Sequence, residues 1–146
     1  MVDFIDSFNK GLSAAEQAIA NKDEIDSVIE QLSEQLLQAT NGKLKISIVE
    51  KQKPLASFMM NISDYMNRKT YWAIVASNPL TTFQPKELAE WKFSESGYPC
   101  RIVLSDAEIY CEDKTALENA LSRMIASPEA GKKLKAVIEQ EPTNQE

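Results

Sequence analysis

The stretch that decides the fold is residues 98–112, which read Tyr-Pro-Cys-Arg-Ile-Val-Leu-Ser-Asp-Ala-Glu-Ile-Tyr-Cys-Glu. A two-residue turn at Ser105-Asp106 predicts a β-hairpin, because apolar and polar side chains alternate on both sides of it. One face then carries three facing pairs: Leu104 with Ala107, Ile102 with Ile109, and Cys100 with Cys111. The other face carries Arg101, Val103, Glu108 and Tyr110. The chain therefore contains an antiparallel sheet with one apolar face.

Further strands are predicted upstream of this hairpin. Residues 43–48 alternate lysine or serine with leucine or isoleucine, which indicates a strand with one wet face. Residues 70–77 are apolar on both faces, which is typical of a central strand. The spacing in residues 55–63 fits a strand or a helix, and we assign this segment to a strand. Residues 87–94 also fit either structure and stay open.

Helical periodicity flanks the predicted sheet on both sides. An apolar stripe of one helix comprises Phe4, Phe8, Leu12, Ala15 and Ile19. Asn21 with Glu24 resembles a capping pair for a second helix, and Asn41-Gly42 is a good terminator. The short turn between these helices predicts an antiparallel helical hairpin. Downstream, Thr115 with Glu118 resembles a capping box, and Ser127-Pro128 begins a last helix.

The order of these elements predicts an α+β fold. It comprises an N-terminal helical hairpin, a five- or six-stranded mainly antiparallel sheet and two C-terminal helices. We expect one domain over residues 1–140 and a flexible tail over residues 141–146.

Composition excludes several classes of chemistry. The chain of 146 residues has no histidine, two cysteines and four scattered glycines. Catalysis through a histidine base, histidine-ligated metals and glycine-rich phosphate loops are thereby excluded, and we expect neither a metal nor another cofactor. No apolar run is long enough to span a bilayer, and acidic residues stand where a secretory signal carries basic ones. We therefore expect a cytoplasmic protein without a membrane partner.

The net charge of −6 is concentrated at one end of the chain. Residues 1–42 contain eight acidic residues and two lysines, whereas the rest of the chain is close to neutral. Such a surface repels nucleic acid and attracts a basic protein. The acidic residues predicted to bind this partner are Asp23, Glu24, Asp26, Glu30 and Glu34. The apolar stripe could instead serve a homodimer, and this alternative stays open.

Two other functions are weighed against this one. The aromatic residues Tyr71, Trp72, Trp91, Phe93 and Tyr98 could line a small-molecule pocket, with Lys92 or Arg101 holding an anionic group. Asp64, Glu90 and Lys92 could form the site of a divalent-metal nuclease.

Cys100 and Cys111 could form a redox pair. Buried reduced cysteines also behave as small hydrophobic residues, and we assign the pair to the core. Because the chain has no recognisable catalytic motif, the sequence favours a non-catalytic interaction protein, such as an inhibitor, an antitoxin-like neutraliser, an adaptor or a regulator.

Overall fold

A computed structural model describes residues 1–53 and 69–142. In chain order the elements are α1 (Phe4–Ala39), β1 (Lys45–Gln52), β2 (Thr70–Ser77), β3 (Lys86–Ser94), β4 (Gly97–Val103), β5 (Glu108–Cys111), α2 (Lys114–Ala126) and α3 (Pro128–Ile138). The predicted α+β fold with an antiparallel sheet is confirmed. Residues 87–94 are a strand, whereas the predicted strand at residues 55–63 lies outside the described residues.

The predicted helical hairpin is wrong, because α1 is a single helix of 36 residues. Asn21 does not cap a second helix. Its Nδ2 donates a hydrogen bond to the carbonyl oxygen of Ser96 over 2.9 Å, and its Oδ1 accepts one from Gln17 at 2.9 Å. An asparagine inside a helix usually competes for the local backbone hydrogen bonds. Here its polar atoms are occupied elsewhere, and the helix continues to the predicted terminator at Asn41-Gly42.

Only the second half of α1 packs against the rest of the protein. Residues 4–20, which we call the overhang, are exposed except for a half-buried Ala18. From residue 21 onward, one side of the helix is buried through Ile25, Val28 and Ile29. At a rise of 1.5 Å per residue, the overhang projects about 25 Å from the sheet. Within the two described stretches, no helix combines the length and apolar content needed to cross a membrane.

The five described strands form a meander in the order β1-β2-β3-β4-β5, and all neighbours are antiparallel. In the β4–β5 hairpin, Cys100 pairs with Cys111 and Ile102 with Ile109, as predicted. The amide of Leu104 donates to the carbonyl of Ala107 over 2.7 Å and closes the turn. The register of this hairpin is therefore confirmed.

The three helices share one face of the sheet. Side chains of β1 to β5 on this face form a single core with α1, α2 and α3. The buried hydroxyl of Ser33 in α1 accepts a hydrogen bond from the amide of Ile46 over 3.0 Å and so ties the helix to strand β1. The buried Asn78 likewise donates to the carbonyl of Val137 in α3 at 3.2 Å.

The C-terminal helices have side-chain caps at their starts. Ser127 accepts from the amide of Ala130 and precedes Pro128, as predicted for α3. The capping box predicted at Thr115 is wrong, because the carboxylate of Asp113 accepts from the amide of Ala116 at 2.8 Å and α2 begins at Lys114. An aspartate in extended conformation is as good a cap as a threonine, and it comes earlier in the chain.

Candidate functional site

The predicted partner-binding acids are all exposed on α1. With 3.6 residues per turn, Asp23, Asp26, Glu30 and Glu34 lie within an arc of about 80°. Asp23, Glu30 and Glu34 point away from Ile25 and Val28, whereas Asp26 stands at the edge of the arc and also lines a cleft next to the sheet. In the part of the chain that the structure describes, none of these four carboxylates forms an ion pair. We call these four residues the acidic face.

Glu24 does not belong to the acidic face. It lies one residue after Asp23, which rotates its side chain about 100° around the helix. Its Oε1 accepts a hydrogen bond from the hydroxyl of Tyr98 in β4 over 2.8 Å. Burial and this hydrogen bond raise the pKa of Tyr98 well above its usual value. Glu24 therefore ties α1 to strand β4, and its predicted role in partner binding stays a prediction.

Glu16 extends the acidic face, although it was not among the predicted residues. It precedes Asp23 by seven residues, a spacing that leaves the two side chains within about 20° of each other on a helix. The same spacing separates Asp23 from Glu30. This repeat was visible in the sequence, but the predicted turn at Asn21 placed Glu16 on a separate helix. Because α1 is continuous, the three residues share one side.

The apolar stripe lies on the overhang, and none of its residues belongs to the core of the described part of the chain. Phe4 is 76% exposed, Phe8 64% and Ile19 62%. Neighbouring Ile5 is 73% exposed and Leu12 49%. Monomeric proteins rarely expose contiguous apolar patches of more than a few hundred Å². The stripe is therefore the most unusual part of the described surface.

An aromatic cleft opens where the overhang meets the sheet. It has a volume of about 300 Å³ and is lined by Lys22, Ile25, Asp26, Ile48, Trp72, Trp91, Phe93 and Gly97. Trp72 and Phe93 meet edge to face, with ring centroids 6.0 Å apart, and both are partly exposed. The sequence predicted a role for these aromatic residues, but it did not place Lys22 or Asp26 beside them.

Lys92 and Arg101, predicted to hold an anionic ligand beside the aromatic residues, lie on the opposite face of the sheet. They pair with each other across β3 and β4. Their pair is next to that of Trp91 and Ile102, whose side chains point to the helices. Arg101 forms an ion pair with Glu108 at 2.8 Å and lies 5.5 Å from the ring centroid of Tyr110. Tyr71 donates to Glu87 on this same face over 2.6 Å. The predicted combination of aromatic and cationic residues is therefore not assembled.

Cys100 and Cys111 are free, fully buried and part of the core. The neighbouring thiol of Cys111 and burial raise the pKa of Cys100, whereas Cys100 lowers the pKa of Cys111. Because neither side chain is accessible to solvent, both cysteines pack here as core side chains.

The predicted nuclease residues are only partly described. Glu90 and Lys92 lie two apart on β3 and share the face opposite to the helices, whereas Asp64 lies outside the described residues. Within residues 1–53 and 69–142, no three cysteine, aspartate or glutamate side chains are grouped closely enough to hold a metal ion. The nuclease alternative stays a prediction.

Neither a family model, nor a curated protein, nor a solved structure matches this chain. Because a fold alone does not imply a function, the function has to be inferred from the surfaces described above.

Proposed function

We propose that this chain is a non-catalytic interaction protein that binds a second protein with a basic surface through the acidic face of α1. The observation that supports this function is the absence of ion pairs to Asp23, Asp26, Glu30 and Glu34 among the described residues. Residues 23–39 contain five acidic residues and neither lysine nor arginine. Their combined field reaches into solvent, where it accelerates the encounter with a cationic partner.

The rigidity of this part of α1 strengthens the proposal. The four carboxylates stand on a segment whose Ile25, Val28 and Ile29 are packed against the sheet. Asp26 lies at the edge of the face, beside the aromatic cleft. A partner therefore meets a preformed row of charges and does not have to order a flexible segment on binding. The two residues predicted to hold a small anionic ligand, Lys92 and Arg101, lie on the face of the sheet opposite to the aromatic cleft. The cleft itself has one lysine, Lys22, and the carboxylate of Asp26 lines it as well, which disfavours an anionic ligand there.

The experiment compares charge reversals of equal size on two surfaces. A tagged protein captures its partner from lysate of the source cell, and the association rate of the identified partner is then measured at low salt. We expect Glu30→Lys with Glu34→Lys to slow association at least about tenfold, because electrostatic steering acts mainly on this rate. Asp106→Lys with Glu112→Lys, two exposed acids outside α1, is the matched control.

The control is expected to bind at nearly the rate of the unchanged protein. Equal association rates for both double variants at low salt would remove the acidic face from the function. Neither Glu30 nor Glu34 belongs to the buried core, so circular dichroism spectra of the two variants should agree with that of the original chain.

A further inference from the structure

The overhang has the residue spacing of a helix that packs against another helix. Ile5, Phe8, Leu12, Ala15 and Ile19 follow one another at intervals of three, four, three and four residues. This is the repeat that lines the contact of two coiled helices. All five are exposed, and none of them belongs to the core formed by the described residues.

The apolar stripe continues into the aromatic cleft. Eighteen residues make five full helical turns, so Phe4 lies on the same side of α1 as Lys22, and Phe8 on the same side as Asp26. Lys22 and Asp26 both line the cleft, beside the partly exposed Trp72 and Phe93. The stripe and the cleft are therefore one apolar surface, a helical ridge at one end and a concave site at the other.

We propose that this surface binds a second copy of the same chain, with the two overhangs packed antiparallel. Pairing centred between Ser13 and Ala14 sets Phe8 of each copy opposite Ile19 of the other, and Leu12 opposite Ala15. The first residues of each overhang then reach the cleft of the other copy. A two-fold interface requires a self-complementary surface, and a ridge joined to a matching cleft provides one.

The charges at the ends of the stripe favour the antiparallel arrangement. In this register Lys22 of one copy lies level with Ile5 of the other, and Asp26 lies level with Met1, so neither of them faces a like charge. Lys22 forms no ion pair with any other described residue. A parallel pair would instead place Lys22 against Lys22 and Asp26 against Asp26, and such like-charge contacts are unfavourable.

The apolar area is sufficient for a stable dimer. Exposed side chains of Phe4, Ile5, Phe8, Leu12 and Ile19 offer on the order of 600 Å² per copy, given that a buried aromatic side chain covers about 150–250 Å². Two copies thus bury roughly 1,200 Å², which is the lower limit of specific interfaces. Trp72 and Phe93 of the cleft add to this area.

Sedimentation equilibrium of the full chain tests the proposal. We expect the unchanged chain to be a dimer at micromolar concentration. The dissociation constant of the Leu12→Asp dimer should be at least about 100-fold larger, because a carboxylate would be buried in the contact. Ser13→Asp is the matched control, since it adds the same charge at the next position, on the far side of the helix. It is expected to dimerise like the unchanged chain.

A monomeric original chain at 100 µM would overturn the proposal, as would equal dissociation constants for the two variants. If the stripe binds only a different protein, the original chain will be monomeric at 100 µM. The dimer dissociation constants do not depend on whether the acidic face binds a partner in the capture experiment, because Leu12 and Ser13 lie outside that face.

Spin labels test the orientation of the two helices. Ser13 and Ala20 lie seven residues apart and therefore on one side of α1. Nitroxides at Ser13→Cys in the two copies are expected to lie level with each other, whereas those at Ala20→Cys should be offset by about 20 Å along the helix axes, from the rise of 1.5 Å per residue. The second pair is therefore farther apart, and equal distances for the two positions would overturn the antiparallel arrangement. Both native cysteines are fully buried and should remain unlabelled in the folded protein.

Discussion

At the scale of single residues, Gly97 shows how closely the turn between β3 and β4 approaches α1. Its φ is +85°, and a Cβ atom built on it would lie 2.8 Å from the Cβ of Asn21. Directly beside it, the carbonyl of Ser96 accepts the hydrogen bond from Asn21. A side chain at position 97 would therefore push the turn away from the helix and weaken this bond.

Two glycine substitutions separate backbone strain from this close contact. We expect Gly42→Ala to cost about 1 kcal/mol of unfolding free energy, because its φ is +82° but no atom lies within 4 Å of the added Cβ. Gly97→Ala combines a similar φ with the clash and should cost about 3 kcal/mol. Urea unfolding, followed by circular dichroism at one protein concentration, measures both values. Equal losses would mean that the contact with Asn21 does not constrain the turn.

Residue-scale prediction succeeded where the determining contacts are local. The pairing of Cys100 with Cys111 follows from a two-residue turn and the alternation beside it, and both are visible in the sequence. The role of Asn21 could not be predicted, because its partner Ser96 is 75 residues away. The same reason applies to Glu24, whose partner Tyr98 was predicted only as an aromatic side chain.

At the scale of elements, α1 consists of two halves with different support. Residues 21–39 pack on the sheet through their buried side. The interactions described for the overhang are local to α1: its backbone hydrogen bonds, the cap at Asp3, the ion pair between Lys10 and Asp6, and the hydrogen bond from Gln17 to Asn21. The spacing of apolar residues in the sequence predicts a helix for each half. It could not predict that they join, because Asn21-Lys22 reads locally like a turn.

This difference predicts uneven hydrogen exchange along α1. In the Leu12→Asp variant, amides of the overhang should exchange at least about tenfold faster than those of residues 25–36, since helices without tertiary contacts open readily. The original chain should protect the overhang more strongly if it dimerises. Exchange measured by mass spectrometry on peptides from the two halves tests this. Equal protection of both halves in the variant would contradict the division of α1 into a packed half and an unpacked half.

At the scale of the whole molecule, apolar and acidic surfaces follow one another along α1. The overhang offers an apolar stripe with Glu16 at its side, and the four carboxylates of the acidic face follow where the helix reaches the sheet. Asp23 and Asp26 lie at the boundary, whereas Glu30 and Glu34 lie beyond the proposed contact between two copies. Both proposed surfaces can therefore be occupied together.

The two surfaces should respond differently to salt. Screening shortens the reach of charges from about 10 Å at 0.1 M to a few Å at 1 M, whereas apolar burial persists. We expect the dimer dissociation constant to change less than about threefold between 0.05 and 0.5 M sodium chloride, and partner association to slow at least about tenfold. Sedimentation and association kinetics measure the two effects. A dimer that dissociates in high salt would indicate a contact held by charge.

Four features could be predicted from the amino-acid sequence: the α+β class, the register of the β4–β5 hairpin, the end of α1 at Asn41-Gly42 and the concentration of acidic charge. Each of these depends on residues within a few positions of one another. Only the tertiary structure decided that α1 passes through Asn21, that Glu24 anchors the helix, and that Lys22 and Asp26 meet Trp72 and Phe93. These features depend on contacts between residues far apart in the chain, and such contacts leave no periodic signal in the local sequence.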